Sequence, residues 1–524
     1  MPALTTARSM TPVETPSRPG PSPTPVPRQG GLDAESDLSP LGIPRPGAGA
    51  SAHDLAFWRA ITDPDVFAWL EHIRPAAGCA HPIRLVGEMN TIDTATGALL
   101  SQVRTADLPD GAIYKPCGNR RSRVCPSCAE TYRHDAYQLI RAGLVGGKGI
   151  PDSVAHHPAV FPTFTAPGFG PVHTRHVVRH TCANRRRCDC RPEPCHARRD
   201  TPTCPHGRPG FCFARHDTAD MQLGQPLCLD CYDHNAQVVW NYHAGELWRR
   251  TTIAITRAIR RTAKRRGIDP KIVRLSYGKV AEMQRRGVVH FHAIIRLDRA
   301  DPTDPDAILP PPAGLTVEDL VDAVEHAAAT VAFTTDPHPA NPAGWPIAWG
   351  EQVDTRPITV TADGEITDGL VAGYLAKYAT KSTETTGHLS RRLSAETIDL
   401  YADPDGSHTE RLVDACWVLG VPKDWRGLRR WAHMLGFGGH FLTKSRRYSI
   451  TFRILRDNRV VYRRHADQPP NSDTPAPETT LVVSFLTFGG AGWHTTGDAL
   501  LANTAAAMAR ERHRAGREEI TTMT

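Results

Sequence analysis

The stretch Val288-Val-His-Phe-His-Ala-Ile-Ile295 indicates the surrounding fold more strongly than any other part of the chain. It is apolar and rich in β-branched residues, which predicts a buried strand. Because residues i and i+2 of a strand point to one face, His290 and His292 are expected to present two imidazoles side by side. Neutral imidazole is a common metal ligand, so the strand is a candidate metal site. The alternative is a pair of histidines at a core edge, each with a hydrogen-bond partner.

A third ligand is available just upstream of this strand. The run Ile272–Val280 also predicts a strand, and a hairpin through Arg285-Arg286-Gly287 would bring Glu282 back beside the two histidines. One carboxylate and two imidazoles, with positions left open for water and phosphate, suit Mg²⁺ or Mn²⁺. We therefore predict a divalent ion held by Glu282, His290 and His292.

A candidate nucleophile lies downstream, in Gly373-Tyr-Leu-Ala-Lys-Tyr-Ala-Thr-Lys381. On a helix, Tyr374 and Tyr378 would lie one turn apart, and each is followed three residues later by a lysine, Lys377 or Lys381. A phenol with a pKa of about 10 is a poor nucleophile at neutral pH. Neighbouring cations and a metal-held phosphate lower the barrier to its attack. The alternative is an ordinary amphipathic helix whose lysines extend toward solvent.

The order of these motifs resembles the HUH endonuclease superfamily, in which a His-hydrophobe-His strand binds the metal and a later tyrosine helix supplies the nucleophile. The doubled tyrosine is similar to that of the two-tyrosine initiators of small circular-DNA phages. Phe164-Thr-Ala-Pro167 resembles the first strand motif of the superfamily. Blocks spread over most of residues 115–455 resemble the replication initiators of actinobacterial plasmids and integrative conjugative elements.

The resemblance implies a site-specific single-strand DNA endonuclease and ligase that starts rolling-circle replication. Tyr374 or Tyr378 would attack the scissile phosphodiester, leaving a transient 5′-phosphotyrosine and a free 3′-OH. Lys377 and Lys381 would position or neutralise the phosphate. The implied partner is origin DNA, single-stranded at the nick. Since the chain has no G-x-x-x-x-G-K-[S/T] loop, a host helicase and a host polymerase are expected as further partners.

The thirteen cysteines indicate metal binding. The N-terminus has no apolar segment of signal-peptide length, which predicts a cytoplasmic protein, and clustered thiols in a reducing compartment favour metal over disulfides. Two CxxC knuckles predict structural zinc. Its expected ligands are Cys117, Cys125, Cys128, Cys228 and Cys231. A second zinc is expected from the cysteines between the knuckles, near His196 and His206. These are Cys182, Cys188, Cys190, Cys195, Cys204 and Cys212.

Composition divides the chain into five segments. Residues 1–50 contain eleven prolines and predict a disordered tail. Residues 51–150 are an N-terminal region with a zinc knuckle. Residues 151–385 are the predicted endonuclease domain, with a Cys-rich insertion at 180–235. Residues 386–465 form a basic region for which DNA contact and core packing are both open, and 466–524 form a linker, a strand and a helix. The predicted class is α+β, an HUH-type central antiparallel sheet flanked by helices.

The charge distribution favours a polyanionic partner. The formal net charge is +7, and basic residues cluster at 185–266 and again at 425–464. No apolar run approaches the roughly 18 residues that a membrane span needs, so no membrane partner is expected. A non-catalytic, zinc-dependent DNA-binding regulator is the alternative function. An HUH transposase or a conjugative relaxase would use the same chemistry, but the initiator-like blocks favour replication.

Overall fold

A computed structural model describes residues 45–177, 192–197, 203–358, 371–373, 375–377, 392–466 and 480–523. The tail predicted at residues 1–50 therefore lies almost wholly outside the described residues. The described residues up to Phe67, with His494–Leu501, make one compact unit, and the remainder makes a second. The candidate site lies in the second unit.

The described chain contains both helices and strands. The helices are α1 (Ala52–Thr62), α2 (Val66–Ile73), α3 (Pro126–Val145), α4 (His234–Arg265), α5 (Val317–Thr330), α6 (His408–Leu419), α7 (Arg426–Arg430), α8 (Phe452–Ala466) and α9 (Thr496–Met523). Residues 371–373 and 375–377 are also helical. The strands are β1 (Ile83–Asp93), β2 (Leu99–Arg104), β3 (Ile113–Lys115), β4 (Ala159–Phe164), β5 (Val273–Met283), β6 (Val289–Arg299), β7 (Ala332–Thr334), β8 (Pro346–Ala348), β9 (Val353–Pro357), β10 (Leu442–Lys444) and β11 (Thr480–Ala491).

The central sheet has five antiparallel strands in the order β10-β5-β6-β4-β9. β5 and β6 pair along their whole lengths, from Val273 opposite Arg299 to Met283 opposite Val289. β6 lies in the middle of the sheet and is buried on both faces, which explains its nearly continuous apolar sequence. The predicted mixture of helices with a central antiparallel sheet is confirmed.

One face of this sheet packs against α4 and α5. Val289, Phe291 and Ala293 of β6 point to this face and are fully buried in a core shared with both helices. Trp248 of α4 meets the ring of Phe291 edge-on, with 6.0 Å between ring centroids. Leu320 brings α5 into the same core. The alternation of side chains therefore directs the histidines of β6 to the other face.

The other face is covered by α3 and by the helical residues 371–373 and 375–377. Ile294 and Val280 are buried there with Leu139 of α3 and with Leu375. Ile294 is two residues beyond His292 on the same side of β6. The segment that carries the tyrosine motif therefore packs on the face that carries the histidines.

A smaller antiparallel sheet is built around β1. β11 pairs with one edge of β1 from Ile83 opposite Ala491 to Asp93 opposite Thr480, and β2 and β3 share the other edge. The strand expected within residues 466–524 is thus present. Its partner is the first strand of the chain, which periodicity alone does not indicate.

The region 392–466 belongs to the main core. α6 and α7 contribute Leu412 and Leu428 to the α4 side of the sheet, and β10 extends the sheet beside β5. Trp425 is buried with its ring centroid 5.6 Å from that of Trp345. Core packing therefore accounts for this tryptophan. Across the described ranges, no helix combines the length and the hydropathy that crossing a bilayer requires.

A buried polar network fixes the end of β6 away from the histidines. Asp298 accepts hydrogen bonds from Arg296 Nε (2.7 Å) and Ser276 Oγ (2.5 Å), and its carboxylate lies 2.8 Å from His157 Nδ1. Arg296 also donates to the carbonyl oxygen of Gly143 at the end of α3. The network thus ties β5, β6 and α3 together.

We expect Asp298→Ala to lower the free energy of unfolding by about 3–5 kcal/mol, because it leaves the Arg296 charge buried without its carboxylate. Urea denaturation followed by circular dichroism measures the change. Asp322→Ala, on the exposed side of α5, is the matched control and should change stability by less than about 0.5 kcal/mol. Equal effects of the two substitutions would contradict this account.

Candidate active site and metal-binding groups

The β5–β6 hairpin positions the three predicted ligands. Glu282 lies directly opposite His290, and Val280 lies opposite His292. Opposed residues of antiparallel strands project to the same side, so Glu282, His290 and His292 share one face. The turn runs through Arg285-Arg286-Gly287, as predicted, with Gly287 at a φ of +74°.

Side chains of α4 hold this turn. Buried Asn241 donates through Nδ2 to the carbonyl oxygen of Gly287 (2.8 Å) and accepts through Oδ1 from the N–H of Val289 (3.1 Å). Gln237 donates to the carbonyl oxygen of Arg286 (2.9 Å). Amides that satisfy the turn's backbone in a dry core fix the register of the hairpin.

His292 is held between two side chains. Its Nε2 lies 3.0 Å from Glu282 Oε2, and its Nδ1 lies 3.1 Å from Thr163 Oγ1 on β4. In the hydrogen bond as it stands, Nε2–H donates to the carboxylate. With the proton moved to Nδ1 and donated to Thr163, Nε2 and the carboxylate would both present lone pairs to a cation between them. In that tautomer His292 suits a metal ligand, because Thr163 orients its ring from the side opposite the metal.

His290 is not satisfied in the same way. Gln284 Nε2 lies 3.0 Å from its Nδ1, whereas its Nε2 is buried and has no hydrogen-bond partner within the described part of the chain. Burial, aided by Arg286, lowers the pKa of His290 to about 3, so the ring is neutral near pH 7. A metal at Nε2 needs the proton on Nδ1, and Gln284 would then turn its Oε1 to the ring. The interpretation as two satisfied core histidines does not describe His290.

The ligand atoms of the three predicted metal ligands lie too far apart to form a compact site. Among the described residues, the ligand atoms of Glu282, His290 and His292 do not all lie within 4.8 Å of one another, a limit that three other groups meet. The donors share a face and fit a divalent ion in type. Only the Glu282–His292 pair is within hydrogen-bonding distance.

The tyrosine motif is described in part. Tyr374, Tyr378 and Lys381 lie outside the described residues. Ala372, Leu375 and Ala376 are buried in the cluster that contains Val280 and Ile294. Lys377 is exposed. The predicted helix is therefore present where the structure describes it, on the histidine side of the sheet.

The cysteines form three separate groups rather than the predicted pairing. The first group is Cys79, Cys117, Cys125 and Cys128; the second is His173, Cys195, Cys212 and His216; the third is Cys204, His206, Cys228 and Cys231. The two CxxC knuckles thus lie in different groups, and the prediction that Cys228 and Cys231 complete the site of Cys125 and Cys128 is wrong. Cys182, Cys188 and Cys190 lie outside the described residues.

Chain topology explains the error. Cys79 completes the first group from a turn 46 residues before Cys125, and it belongs to no knuckle. Cys204 and His206 lie close to each other on one loop and complete the second knuckle locally. A short-range Cys-x-His pair was the available signal for the third group. No spacing signal marks Cys79.

The distances within the groups match tetrahedral coordination. Zinc bonds of about 2.3 Å to sulfur and about 2.0 Å to nitrogen require ligand separations of about 3.8 Å for two sulfurs and about 3.5 Å for sulfur and nitrogen. Cys79 Sγ lies 3.9 Å from Cys125 Sγ and 3.7 Å from Cys128 Sγ. In the second group, Cys212 Sγ lies 3.6 Å from His216 Nε2. Disulfides would need separations near 2 Å.

Burial makes the first group unfavourable as free thiolates. It raises the pKa of Cys79 to about 11 and also raises the pKa of Cys128. The N–H groups of Ala80 and Cys117 donate to Cys125 and Cys79, each at 3.3 Å. Backbone N–H groups aimed at buried sulfurs fit thiolates neutralised by a cation.

The chain belongs to the replication initiator proteins. The family model described as "Replication initiator protein, pSAM2" (RepSA) matches residues 65–507, which is most of the 524 residues. A replication initiator protein of Streptomyces ambofaciens is 43% identical over 460 residues, covering 86% of this chain and 91% of that protein. No solved structure matches the chain. The initiator part of the resemblance is therefore confirmed.

We expect Gly287→Ala to destabilise the protein by about 1–3 kcal/mol more than Gly267→Ala. Both glycines have a φ near +75°, so the backbone strain is shared. A Cβ at Gly287 would meet Leu435 Cδ1 at 2.7 Å, whereas a Cβ at Gly267 would meet no described atom within 4 Å. The excess is the cost of overpacking the hairpin turn. Equal urea midpoints for the two variants would contradict the close packing of the hairpin turn around Gly287.

Proposed function

We propose that this initiator is itself the nuclease that opens its origin, a metal-dependent HUH-type endonuclease and ligase that starts rolling-circle replication. One observation carries the proposal: Glu282, His290 and His292 share one face of the central sheet, and the segment flanking Tyr374 packs on that same face. A nuclease of this class needs its metal ligands and nucleophile together.

Glu282, His290 and His292 would hold Mg²⁺ or Mn²⁺. The buried Nε2 of His290, which has no hydrogen-bond partner among the described residues, supports this assignment, since a ligand there would satisfy a buried polar atom. A bound divalent ion would supply positive charge to an oxygen of the scissile phosphodiester. Thr163 orients the ring of His292 from the neighbouring strand.

The chain's own nucleophile would be Tyr374 or Tyr378. Its phenolic oxygen forms a bond to phosphorus, the bond from phosphorus to the 3′ oxygen breaks, and that oxygen leaves as a free 3′-OH after gaining a proton. The product is a 5′-phosphotyrosine and a primer end. Lys377 and Lys381 would place positive charge beside the phosphate. With two tyrosines, one can cleave while the other holds the earlier strand.

The proposed substrate is origin DNA, single-stranded at the nick, with a host helicase and a host polymerase continuing the reaction. Some basic residues of α4 and its C-terminal cap already form ion pairs within the protein: Arg249 and Arg250 pair with Glu246, and Arg266 pairs with Asp319. Arg257, Arg261 and Lys264 remain as candidates for contact with DNA phosphates.

The three cysteine groups are proposed to hold structural zinc. Their ligand types and separations fit tetrahedral sites with every position filled by protein. Two of the groups lie in a segment rich in arginine and proline, where a metal ion can replace the apolar core that the composition cannot supply.

Replacing both Tyr374 and Tyr378 with Phe should abolish covalent DNA adducts, because no phenolic oxygen remains to attack. The assay incubates the protein with single-stranded DNA tiling its replicon's origin in Mn²⁺ and resolves DNA-linked protein on a denaturing gel. Each single variant should retain some adduct if the two tyrosines share the role.

Tyr137→Phe is the control and should behave as the wild type. Adducts formed at wild-type level by the double variant would remove the nucleophile assignment. Binding without any adduct in the wild type would favour the alternative, a non-catalytic zinc-dependent DNA-binding protein.

Cys79→Ser should remove one of about three zinc equivalents and lower the melting temperature, because serine is a poor zinc ligand. Elemental analysis of the purified protein and a thermal melt give the two readouts. Cys416→Ala replaces a buried thiol outside the three groups and should keep the full metal content. Unchanged zinc in Cys79→Ser would refute the first group as a site.

A further inference from the structure

A cavity of about 1000 Å³ opens at the end of the central sheet where β5 turns into β6. The hairpin lines it with Gln284 and His290, and the segment that leads into the Cys-rich insertion lines it with Thr174 and Arg175. Residues 165–168 and 349–352 close the remaining sides. The volume is ample for a nucleotide-sized ligand.

The lining is cationic. Of the described residues that line it, three are arginines, Arg175, Arg285 and Arg286, and one is acidic, Glu351. Guanidinium groups beside polar walls suit a phosphodiester, and several close cations suit a single strand more than a neutral ligand. His290, whose buried Nε2 has no hydrogen-bond partner among the described residues, also lines this cavity. The cavity therefore adjoins the proposed metal ligands.

The insertion is fastened to the hairpin at this point. Arg285 donates to the carbonyl oxygens of Thr218 and Asp220, each at 2.7 Å. Gly224 packs so closely against the hairpin that a Cβ there would lie 2.9 Å from the backbone nitrogen of Arg286. The insertion therefore fixes the Arg285 side chain at the turn of the hairpin.

The second cysteine and histidine group, His173, Cys195, Cys212 and His216, lies next to Thr174, which lines the cavity. The N–H of Thr174 donates to Cys195 Sγ (3.1 Å), and His216 Nδ1 lies 2.6 Å from Asp220 Oδ2. With the Nδ1 proton given to Asp220, His216 keeps its Nε2 lone pair for a ligand, 3.1 Å from His173 Nδ1. The second group therefore fixes two features. It holds Thr174, the neighbour of Arg175, and it holds the segment around Asp220 to which Arg285 donates its hydrogen bonds.

We propose that this cavity binds one nucleotide of the substrate strand next to the cleaved phosphodiester, and that a tetrahedral metal ion at His173, Cys195, Cys212 and His216 holds its arginine wall in place. The metal has a positioning role and touches no reacting atom. The inference rests on the proposed function for its substrate, but binding alone tests it.

The first experiment measures affinity for fluorescein-labelled single-stranded oligonucleotides tiling the replicon's origin, by anisotropy, without added Mg²⁺, Mn²⁺ or chelator. Arg175→Ala should weaken binding roughly tenfold and lower the slope of log affinity against log salt by about 0.7, the value for one phosphate contact on a single strand. Arg208 is an exposed arginine of the Cys-rich insertion that does not line the cavity; Arg208→Ala is the control and should change neither.

The second experiment links the metal to the wall. His216→Gln should lose one zinc equivalent by elemental analysis and weaken binding of the same oligonucleotides, whereas His326→Gln, on the exposed side of α5, should do neither. In the double variant, Arg175→Ala should add little to His216→Gln, because the arginine is no longer held in place.

The outcomes separate this inference from the nuclease. Wild-type affinity and salt slope in Arg175→Ala would overturn the nucleotide subsite, even with normal adducts. Loss of zinc in His216→Gln with unchanged affinity, or fully additive effects in the double variant, would overturn the metal's role. Absence of adducts with the expected binding losses would instead refute the nuclease and leave the subsite standing. If His216→Gln does not fold, Arg175→Ala still decides the subsite, and Cys212→Ser repeats the metal test.

Discussion

The pairing of β5 with β6 is the constraint on which the site depends. Side chains alternate along each strand, so a slip of one residue would move Glu282 to the opposite face from its present position. The register is set from both ends. Asn241 and Gln237 hold the turn, and the Asp298 network holds the far end. Between these anchors, buried Phe291 makes any slip costly in apolar burial.

The two faces of the sheet have different tasks. The face against α4 and α5 is a largely apolar core, where Phe291 packs edge to face with Trp248 and Trp349. The face toward α3 is apolar at Val280 and Ile294 and becomes polar at Glu282, His290 and His292, near the end of the hairpin. A rigid sheet with chemistry at its end holds ligands more precisely than a loop does.

The Cys-rich insertion uses a different source of order. Its sequence is too polar and too rich in turn formers for a core of its own, and its described residues converge on the second and third groups instead. A metal ion in such a segment stabilises the fold directly, since unbound ligands would remain spread along the chain. The insertion also meets the hairpin through Arg285, so order in one supports order in the other.

Local sequence patterns were sufficient to predict the elements in which apolar residues recur at regular spacing. The apolar run around His290 and His292, the spacing to Glu282 and the turn at Gly287 predicted the hairpin, because period and turn chemistry are properties of neighbouring residues. The blocks spread over most of residues 115–455 also indicated the initiator family, which the comparisons show. Spacing failed where ligands come from distant segments: Cys79 joins Cys125 only because the chain folds back.

The tertiary structure alone decided three matters. It separated the two knuckles into different groups, it paired β11 with β1, and it placed Trp425 in the core. Each depends on contacts between residues far apart in sequence, which the folded backbone brings together and which no local periodicity encodes. The sequence by itself determined the hairpin, its two histidines and its carboxylate. Folding decided what lies around them.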